Sequence, residues 1–536
     1  MCPFEEDDPV ALKPKAIKLW YQHEDLKKKS DVLEARVKEL EEKLKAKNSK
    51  PFKPKSERTP KTAKDTDTSS SETVPEQEPE KNAKVQTGHG PTEQPKLEAV
   101  VSDYSDPPKN TAPCTNCGGE LQPIEGEFQE REVIDIGPSK PVRVRERRQR
   151  FACICGRHEA IADGPLTHMD NGRYTLDFAI HAAIEKYADR NSLEHQTHKL
   201  RREGLDIESQ TLWDQIDKLA FWTARTTKAI REYLVSQPVL GADETTWKLL
   251  GHKGKKAGYH ASKVWQMWVA QDEYAAYFIN ENNHSHVAAD KLLKDFRGTL
   301  MCDGLSAYKK LSSMRAEQNM PLRLAYCWSH VRRNFWNIKE SFKEACGEIL
   351  QLINRLFFIE QEWKKEPETL SANRASESSK ILEEIGGWVF RTYGQYAPGS
   401  GLCEAIRYMG KHWEGLCLFL TNVSVPLHNN ASENAIRESV IGRKLYYGSK
   451  SVRGCEVAAQ MYTMLETAER AGLSPRAYLK ISVLRALRGE APVLAHEVTL
   501  PMLMTECGMS EALASAAFFD WHPNTPNRKE AETKLL

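Results

Sequence analysis

The chain has 536 residues, too many for one core at roughly one domain per 150 residues, so several folded units joined by linkers are expected. Its 76 Lys and Arg almost balance 75 Asp and Glu, which excludes a global positive field and leaves any contact with nucleic acid to local basic patches. There is no run of eighteen apolar residues, and the opening MCPFEEDD is acidic where a secretory leader would be basic and then apolar, so a cytoplasmic protein with no membrane partner is expected.

Leu26, Leu33, Val37, Leu40 and Leu44 recur at steps of seven, four, three and four residues with Lys and Glu between them, the spacing of a short coiled-coil seam. Residues 1–48 are therefore expected to form an N-terminal helix or coiled coil that favours a homo-oligomer; the alternative is a single exposed amphipathic helix. Residues 49–110 are rich in Lys, Pro, Ser, Thr and Glu, with only Phe52 and Tyr104 as aromatics. That composition offers too little apolar surface to offset ordering, and a disordered, partly basic linker is expected.

Within 111–165, Cys114-x-x-Cys117 and Cys153-x-Cys155 enclose two stretches, GEFQEREVIDIG and KPVRVRERRQRFACIC, that alternate apolar and polar residues as half-buried strands do. Four thiolates suit a tetrahedral structural Zn²⁺ held by Cys114, Cys117, Cys153 and Cys155 in a zinc ribbon. The second pair is one residue tighter than usual, which leaves His158 as an alternative fourth ligand. The other eight cysteines are scattered, as expected of free thiols in a reducing compartment. Arg143, Arg145, Arg147 and Arg150 put several guanidinium groups on one strand face, for phosphate contact or as charge on a solvated edge.

Residues 166–234 read as helical, with Ile180, Ile184 and Tyr187 on one face. GLDIES resembles a helix-turn-helix junction, with Gly204 as the break and Ser209 as N-cap of a helix carrying Gln210, Thr211 and Trp213; plain helical packing is the alternative. From 235 to 340, strands are expected at Pro238–Ala242, Val264–Ala270, Tyr274–Asn280, Gly298–Cys302 and Leu322–Cys327, with helices at His286–Phe296 and Ala307–Ser313. Three antiparallel strands followed by alternating helix and strand is the order of an RNase-H-like mixed sheet, which makes the fold class α/β. Residues 341–425 are wholly helical, 426–488 helical with breaks near Gly448 and Gly454, and 489–536 a mostly helical tail ending in polar residues.

Asp243 and Asp303 each follow a predicted strand, and Glu433 opens a predicted helix in NNASENAIR. Strand ends are where side chains converge outside the hydrogen-bond ladder. Carboxylates about 4 Å apart repel by about 4 kcal/mol at an effective dielectric of 20, so such a cluster calls for a cation, and Mg²⁺ with its preference for oxygen is the natural one. Each acid also has an ordinary explanation: Asp243 as a strand-end turn, Asp303-Gly304 as an Asp-Gly turn, Glu433 as the helical partner of Arg437. Spacing alone leaves a generic metal nuclease open.

LGADETTW, MCDGLSAY, CWSHVRRNF and NNASENAIRESVIGRKLYYGSKSVRG resemble, in that order, the motifs of the insertion sequence 66 family of bacterial transposases, and the resemblance covers nearly the whole chain from about Leu26. It implies a DDE-type core whose carboxylates are Asp243, Asp303 and Glu433, binding two Mg²⁺ (or Mn²⁺), cleaving DNA at the ends of a mobile element and transferring the strands. It also implies that 341–425 is an insertion in an RNase-H-like core completed by 426–488, and that companion proteins from the same element take part. Two positions depart from the family pattern beside the glutamate, His428 and Asn434, and the family's Ser-Lys-Pro-Pro run is reduced to NSKPFKPK; none touches the carboxylates.

Arg332, Arg333, Arg443, Lys444, Lys450 and Arg453 flank the expected site and are candidate DNA contacts; His330, Trp328, Tyr446 and Tyr447 are candidates for orienting DNA or for core packing. The rival to a transposase is a catalytically silent zinc-ribbon and coiled-coil DNA-binding protein; a junction or RNA-directed nuclease on the same core is a third reading.

Overall fold

The structure, a computed structural model, describes residues 99–104, 113–136, 140–155, 157–170, 172–250, 264–363 and 366–519. The coiled coil expected in 1–48, most of the expected linker and the end of the tail lie outside these residues.

Strands β2 (Leu121–Ile136) and β3 (Pro141–Cys153) form a long antiparallel ribbon, with Leu121 opposite Cys153 and an irregularity between Pro123 and Phe128. Strand β1 (Ala99–Tyr104) lies parallel along the other side of β3, and β4 (Glu159–Ile161) pairs with the end of β3. β1 falls inside the stretch expected to be disordered. Strand addition is driven by main-chain hydrogen bonds more than by apolar content, so composition does not reveal it.

Ile134 of the ribbon, fully buried, exchanges backbone hydrogen bonds with Arg173 and Thr175. The Thr175 side chain then caps helix α1 (Leu176–Tyr187) by accepting from the Phe178 N–H. Helices α2 (Leu193–Arg202) and α3 (Ser209–Val235) follow, separated at Gly204, whose φ of +95° supplies the expected break. Ser209 is the first residue of α3 and the cap position belongs to Glu208, a correction to the expected cap. With 27 residues, and Leu212, Ile216 and Leu219 buried, α3 is a core-packed spine.

The central sheet has strand order β7-β6-β5-β8-β9, formed by β5 (Val239–Lys248), β6 (Val264–Gln271), β7 (Ala276–Glu281), β8 (Thr299–Cys302) and β9 (Arg323–Tyr326). β6 is antiparallel to both β5 and β7, and β8 and β9 run parallel to β5. Helices α4 (His286–Leu293) and α5 (Ser306–Glu317) connect the strands as the sequence order anticipates. β5 runs on to Lys248, well past the expected end at Ala242, because β6 continues to pair with it.

Helices α6 (Trp328–Ile338), α7 (Lys343–Glu362), α8 (Pro367–Asn373), α9 (Ser379–Thr392), α10 (Gly401–Lys411) and α11 (Trp413–Leu416) come next. They bury Phe335, Ile353, Ile385, Trp388 and Ile406 outside the cluster that unites the sheet with the other helices. The chain then returns through α12 (Asn430–Tyr446), α13 (Val452–Arg470), α14 (Pro475–Leu487), α15 (Leu500–Cys507) and α16 (Glu511–Ala516). The break between α12 and α13 falls at Tyr447 and Gly448, both at positive φ, and Gly448 is required because a Cβ there would meet the Lys248 carbonyl oxygen at 2.1 Å. Gly454 is no break: it sits in the first turn of α13, where its N–H donates to the Ser451 hydroxyl.

The outer edge of β7 is closed by α13. Thr467 Oγ1 accepts from the Ala276 N–H at 3.1 Å and donates to the Ala276 carbonyl at 3.0 Å, while Thr463 Oγ1 accepts from the Phe278 N–H at 2.9 Å. Both threonines are fully buried. Among the described residues no helix is long and apolar enough to cross a membrane.

Candidate active site

The parallel register of β5 and β8 runs from Val239 opposite Thr299 to Gly241 opposite Met301. That pairing ends two residues short of Asp243 and Asp303, and the two carboxyls are near enough for Asp303 to raise the Asp243 carboxyl. Asp303 directly follows β8, with its Oδ1 accepting from the Leu305 N–H at 2.9 Å. Asp243 lies within β5 rather than after it, a second correction, but at the point where pairing with β8 has ceased. Glu433 stands in the first turn of α12, and Asn429 is the N-cap of that helix.

These residues share one field. Burial, then Glu244, then Asp303 and Glu433 push the Asp243 carboxyl up to about 8. Glu244, the next residue, is likewise raised to about 8 by burial and by Asp303. It accepts hydrogen bonds from His284 Nε2 (3.1 Å) and the Tyr308 hydroxyl (3.4 Å). This fourth carboxylate was missed in the sequence; the signal was the adjacent acid in GADETTW on a strand that did not end where expected. Glu433 leans toward His330 Nε2 (3.8 Å) and Arg333 Nη2 (3.7 Å), and its Oε1 is buried without a hydrogen bond. The acids are not closed into a single-ion cage: among the described residues, the four cysteines are the group of three or more donors whose ligand atoms all lie within 4.8 Å of one another.

Asp243 and Glu244 hold protons more tightly folded than unfolded between about pH 4 and pH 8, so stability of the metal-free protein falls as pH rises through that window. Asp243→Asn is expected to stabilise the metal-free protein at pH 8 by about 1–2 kcal/mol and to lose that advantage toward pH 4. Thermal melts at the two pH values test this, and a variant less stable than wild type at pH 8 would contradict it.

The Asp303 turn is gripped by the helical block. The Tyr408 hydroxyl donates to the Asp303 carbonyl at 2.8 Å. His412 Nδ1 donates to the Tyr408 carbonyl (2.7 Å), which leaves Nε2 to accept from Lys309 Nζ (2.6 Å). Burial and then the Lys309 charge lower His412 to about 4, keeping the ring neutral. Gly304 completes the turn at a φ of +94°, with space for a Cβ only 2.8 Å from His412 Nε2. Gly304→Ala is therefore expected to cost about 2–3 kcal/mol in denaturant unfolding; a loss below about 0.5 kcal/mol would mean that the turn yields. No local pattern in the sequence announces the Tyr408 and His412 contacts.

The basic candidates separate by partner. Arg332, Arg333 and Arg437, with Trp336 and Asn434, line a cleft of about 430 Å³ beside Glu433. Lys444 and Lys450 are exposed. Arg443 binds Thr245 and Thr246 of β5, and Arg453 pairs with Asp217 (2.7 Å) and Glu456 (3.2 Å), so both have roles within the fold. Trp328 is core, its Nε1 donating to the Leu416 carbonyl, and Tyr446 is buried whereas Tyr447 is exposed. In the ribbon, Arg143 faces Glu132, Arg147 faces Asp103 and Glu130, and Arg150 faces Glu127 and Glu159; Arg145 is exposed. Cross-strand ion pairing thus accounts for three of the four arginines.

The four cysteines are drawn together by the turn at Gly118 (φ +69°), whose N–H bonds to the Cys114 carbonyl, and by the end of β3. Cys114 and Cys155 sulfurs are 3.2 Å apart and those of Cys117 and Cys153 3.1 Å. A tetrahedral Zn–S bond of 2.3 Å needs sulfurs about 3.8 Å apart, a small expansion. His158 contributes its carbonyl to the Cys153 N–H and is not in the cluster.

The uncharacterized protein y4jD of Sinorhizobium fredii (strain NBRC 101917 / NGR234) is 28% identical over 427 residues, spanning 77% of this chain and 81% of its own. The uncharacterized protein y4qI of the same organism is 28% identical over 390 residues, 70% of this chain and 71% of its own. Among solved structures, the Drosophila P element transposase strand transfer complex matches 54% of this chain and 91% of its own at 11% identity and a TM-score of 0.30, a likeness from which nothing here follows. Residues 171–457, which hold Asp243, Asp303 and Glu433, match the profile described as the transposase IS66 family, and the chain belongs to that family.

Proposed function

We propose that the chain is a DNA transposase that cleaves the ends of its own mobile element and joins them to target DNA, using Asp243, Asp303 and Glu433 to hold two Mg²⁺ or Mn²⁺. The observation that carries this reading is that Asp303 and Glu433, distant in sequence, both act on the buried Asp243 carboxyl, adding to the rise that burial and Glu244 already give it. The sheet order supports an RNase-H-like core, with 341–425 as its helical insertion and 426–488 completing it.

The residues fit divalent cations by charge and by satisfaction. Burial and neighbouring carboxylates raise the Asp243 and Glu244 carboxyls, a penalty that bound cations would offset, and Glu433 Oε1 is a buried acceptor with no donor. When bound, the metal pair supplies Lewis-acid activation of a hydroxyl and stabilisation of the leaving oxygen. Glu433 is free to swing, since its oxygens make only long contacts to His330 and Arg333. Arg332, Arg333 and Arg437 then bind backbone phosphates in the adjacent cleft, which positions the strand. The cysteine cluster holds a structural Zn²⁺ that sets the tip of the ribbon.

The test is strand cleavage by purified full-length protein, with Mg²⁺ or Mn²⁺, on duplexes carrying the inverted repeats that bracket the coding region. Specific nicking at the repeat ends is expected, if necessary with the element's companion proteins added. Specific binding with no cleavage under any of these conditions would favour the catalytically silent DNA-binding protein instead.

A further inference from the structure

Asn429, Ser432, Gln271 and Arg470 form one buried circuit of hydrogen bonds that begins one residue before Asp243 and ends two residues before Glu433. Asn429 Nδ2 donates to the Ala242 carbonyl at 2.8 Å, and its Oδ1 accepts from the Ser432 hydroxyl at 2.7 Å. Ser432 Oγ accepts in turn from Gln271 Nε2 at 3.0 Å. Gln271 Oε1 accepts from Arg470 Nη1 at 2.7 Å, and Arg470 Nη2 returns to the Ala431 carbonyl at 3.0 Å. The guanidinium is completed by Glu466 Oε1 (3.0 Å) and the Asp272 carbonyl (2.5 Å). Asn429, Ser432 and Arg470 are 1% exposed or less and Gln271 5%.

From this geometry we infer that the circuit is a positioning device for the acidic site, fixing the helix that carries Glu433 against the strand that carries Asp243. The inference rests on the reading of those acids as metal ligands. Two things distinguish it from ordinary packing. First, an apolar seam between α12 and β5 would hold the elements at least as tightly, but would tolerate a slide that this circuit does not: a shift of one residue leaves buried donors and acceptors unpaired. Second, the sheet gives up a side chain to make room. A Cβ on Gly241 would lie 2.2 Å from Gln271 Nε2 and 2.4 Å from Ser432 Oγ, so only glycine lets the circuit cross β5.

A clamp is needed here because Asn429 and Ala242 are separated by 187 residues, including the whole helical block. Nothing in chain continuity sets where Glu433 arrives. The circuit draws on α12, β5, β6 and α13, and so ties that arrival to the sheet itself.

The test is Mn²⁺ binding by the full-length, zinc-loaded protein, measured by electron paramagnetic resonance, in wild type, Asn429→Ala, Ser432→Ala and Asp303→Asn. Loss of a group bonded directly to a metal ligand typically weakens metal binding about 10-fold to 100-fold; Asn429 acts one step further out, through the Ala242 carbonyl, so the lower end of that range applies. Asn429→Ala and Ser432→Ala are expected to weaken Mn²⁺ binding at least about tenfold, and a core variant of α13, Val457→Ala, to leave it unchanged despite lowering the melting temperature. Wild-type Mn²⁺ affinity in both circuit variants, with Asp303→Asn deficient, would overturn the positioning role and leave the acidic site standing. Equal Mn²⁺ binding by wild type and Asp303→Asn would instead remove the acidic site on which the inference rests. If Asn429→Ala does not fold, Ser432→Ala, which removes a single hydroxyl, decides the matter.

Discussion

Replacing Asp303 by Asn is expected to reduce strand cleavage by about 10³-fold or more while duplex DNA binding changes by less than about threefold. The amide keeps the shape of the side chain and its acceptor oxygen for the Leu305 N–H, so the turn persists. What goes is a negative charge that acts on Asp243, and with it one of the proposed ligands for divalent cations. The proposed phosphate contacts, Arg332, Arg333 and Arg437, lie on α6 and α12 in a cleft that the substitution leaves untouched. Gel-shift titration and single-turnover cleavage on the same preparation separate the two quantities. Parallel loss of binding and cleavage would count against Asp303 as a metal ligand.

Replacing Cys153 by Ser is expected to release zinc and unfold the ribbon tip while leaving the melting of the sheet and its helices in place. The folded ribbon has few buried apolar residues, among them Val133, Ile134 and Phe151. Structural zinc contributes apparent binding energies of about 10–16 kcal/mol at pH 7 in zinc-finger peptides, far more than so small a core supplies. Metal content by mass spectrometry should fall from one zinc per chain to none, and amide exchange in 113–161 should rise sharply. A ribbon that stayed protected without zinc would show that strand pairing alone maintains it.

The parts of this protein legible in its sequence are those with a local period or a local motif. The strands of the central sheet could be read because their apolar residues cluster between turn signals, and Asp243 and Asp303 because each sits where such a run gives way. Glu433 was legible only through its place in a longer motif. What escaped was non-local. Strand β1 is held by main-chain pairing with a partner more than forty residues away in sequence, Ala99 to Arg143. Arg443 and Arg453 looked like free basic residues because the threonines of β5 and Asp217 that engage them lie near position 245 and at 217. Asn429 and Ser432 stood in a motif that was recognised, yet their work depends on Gln271 and Arg470, which no spacing connects to them.

The threonine-lined edge of β7 bears on how copies of this chain can associate. A bare outer strand invites a neighbouring molecule to continue the sheet, the first step toward uncontrolled assembly. Thr463 and Thr467 spend those backbone groups on the protein's own helix, so extension of the central sheet by another copy through β7 is closed.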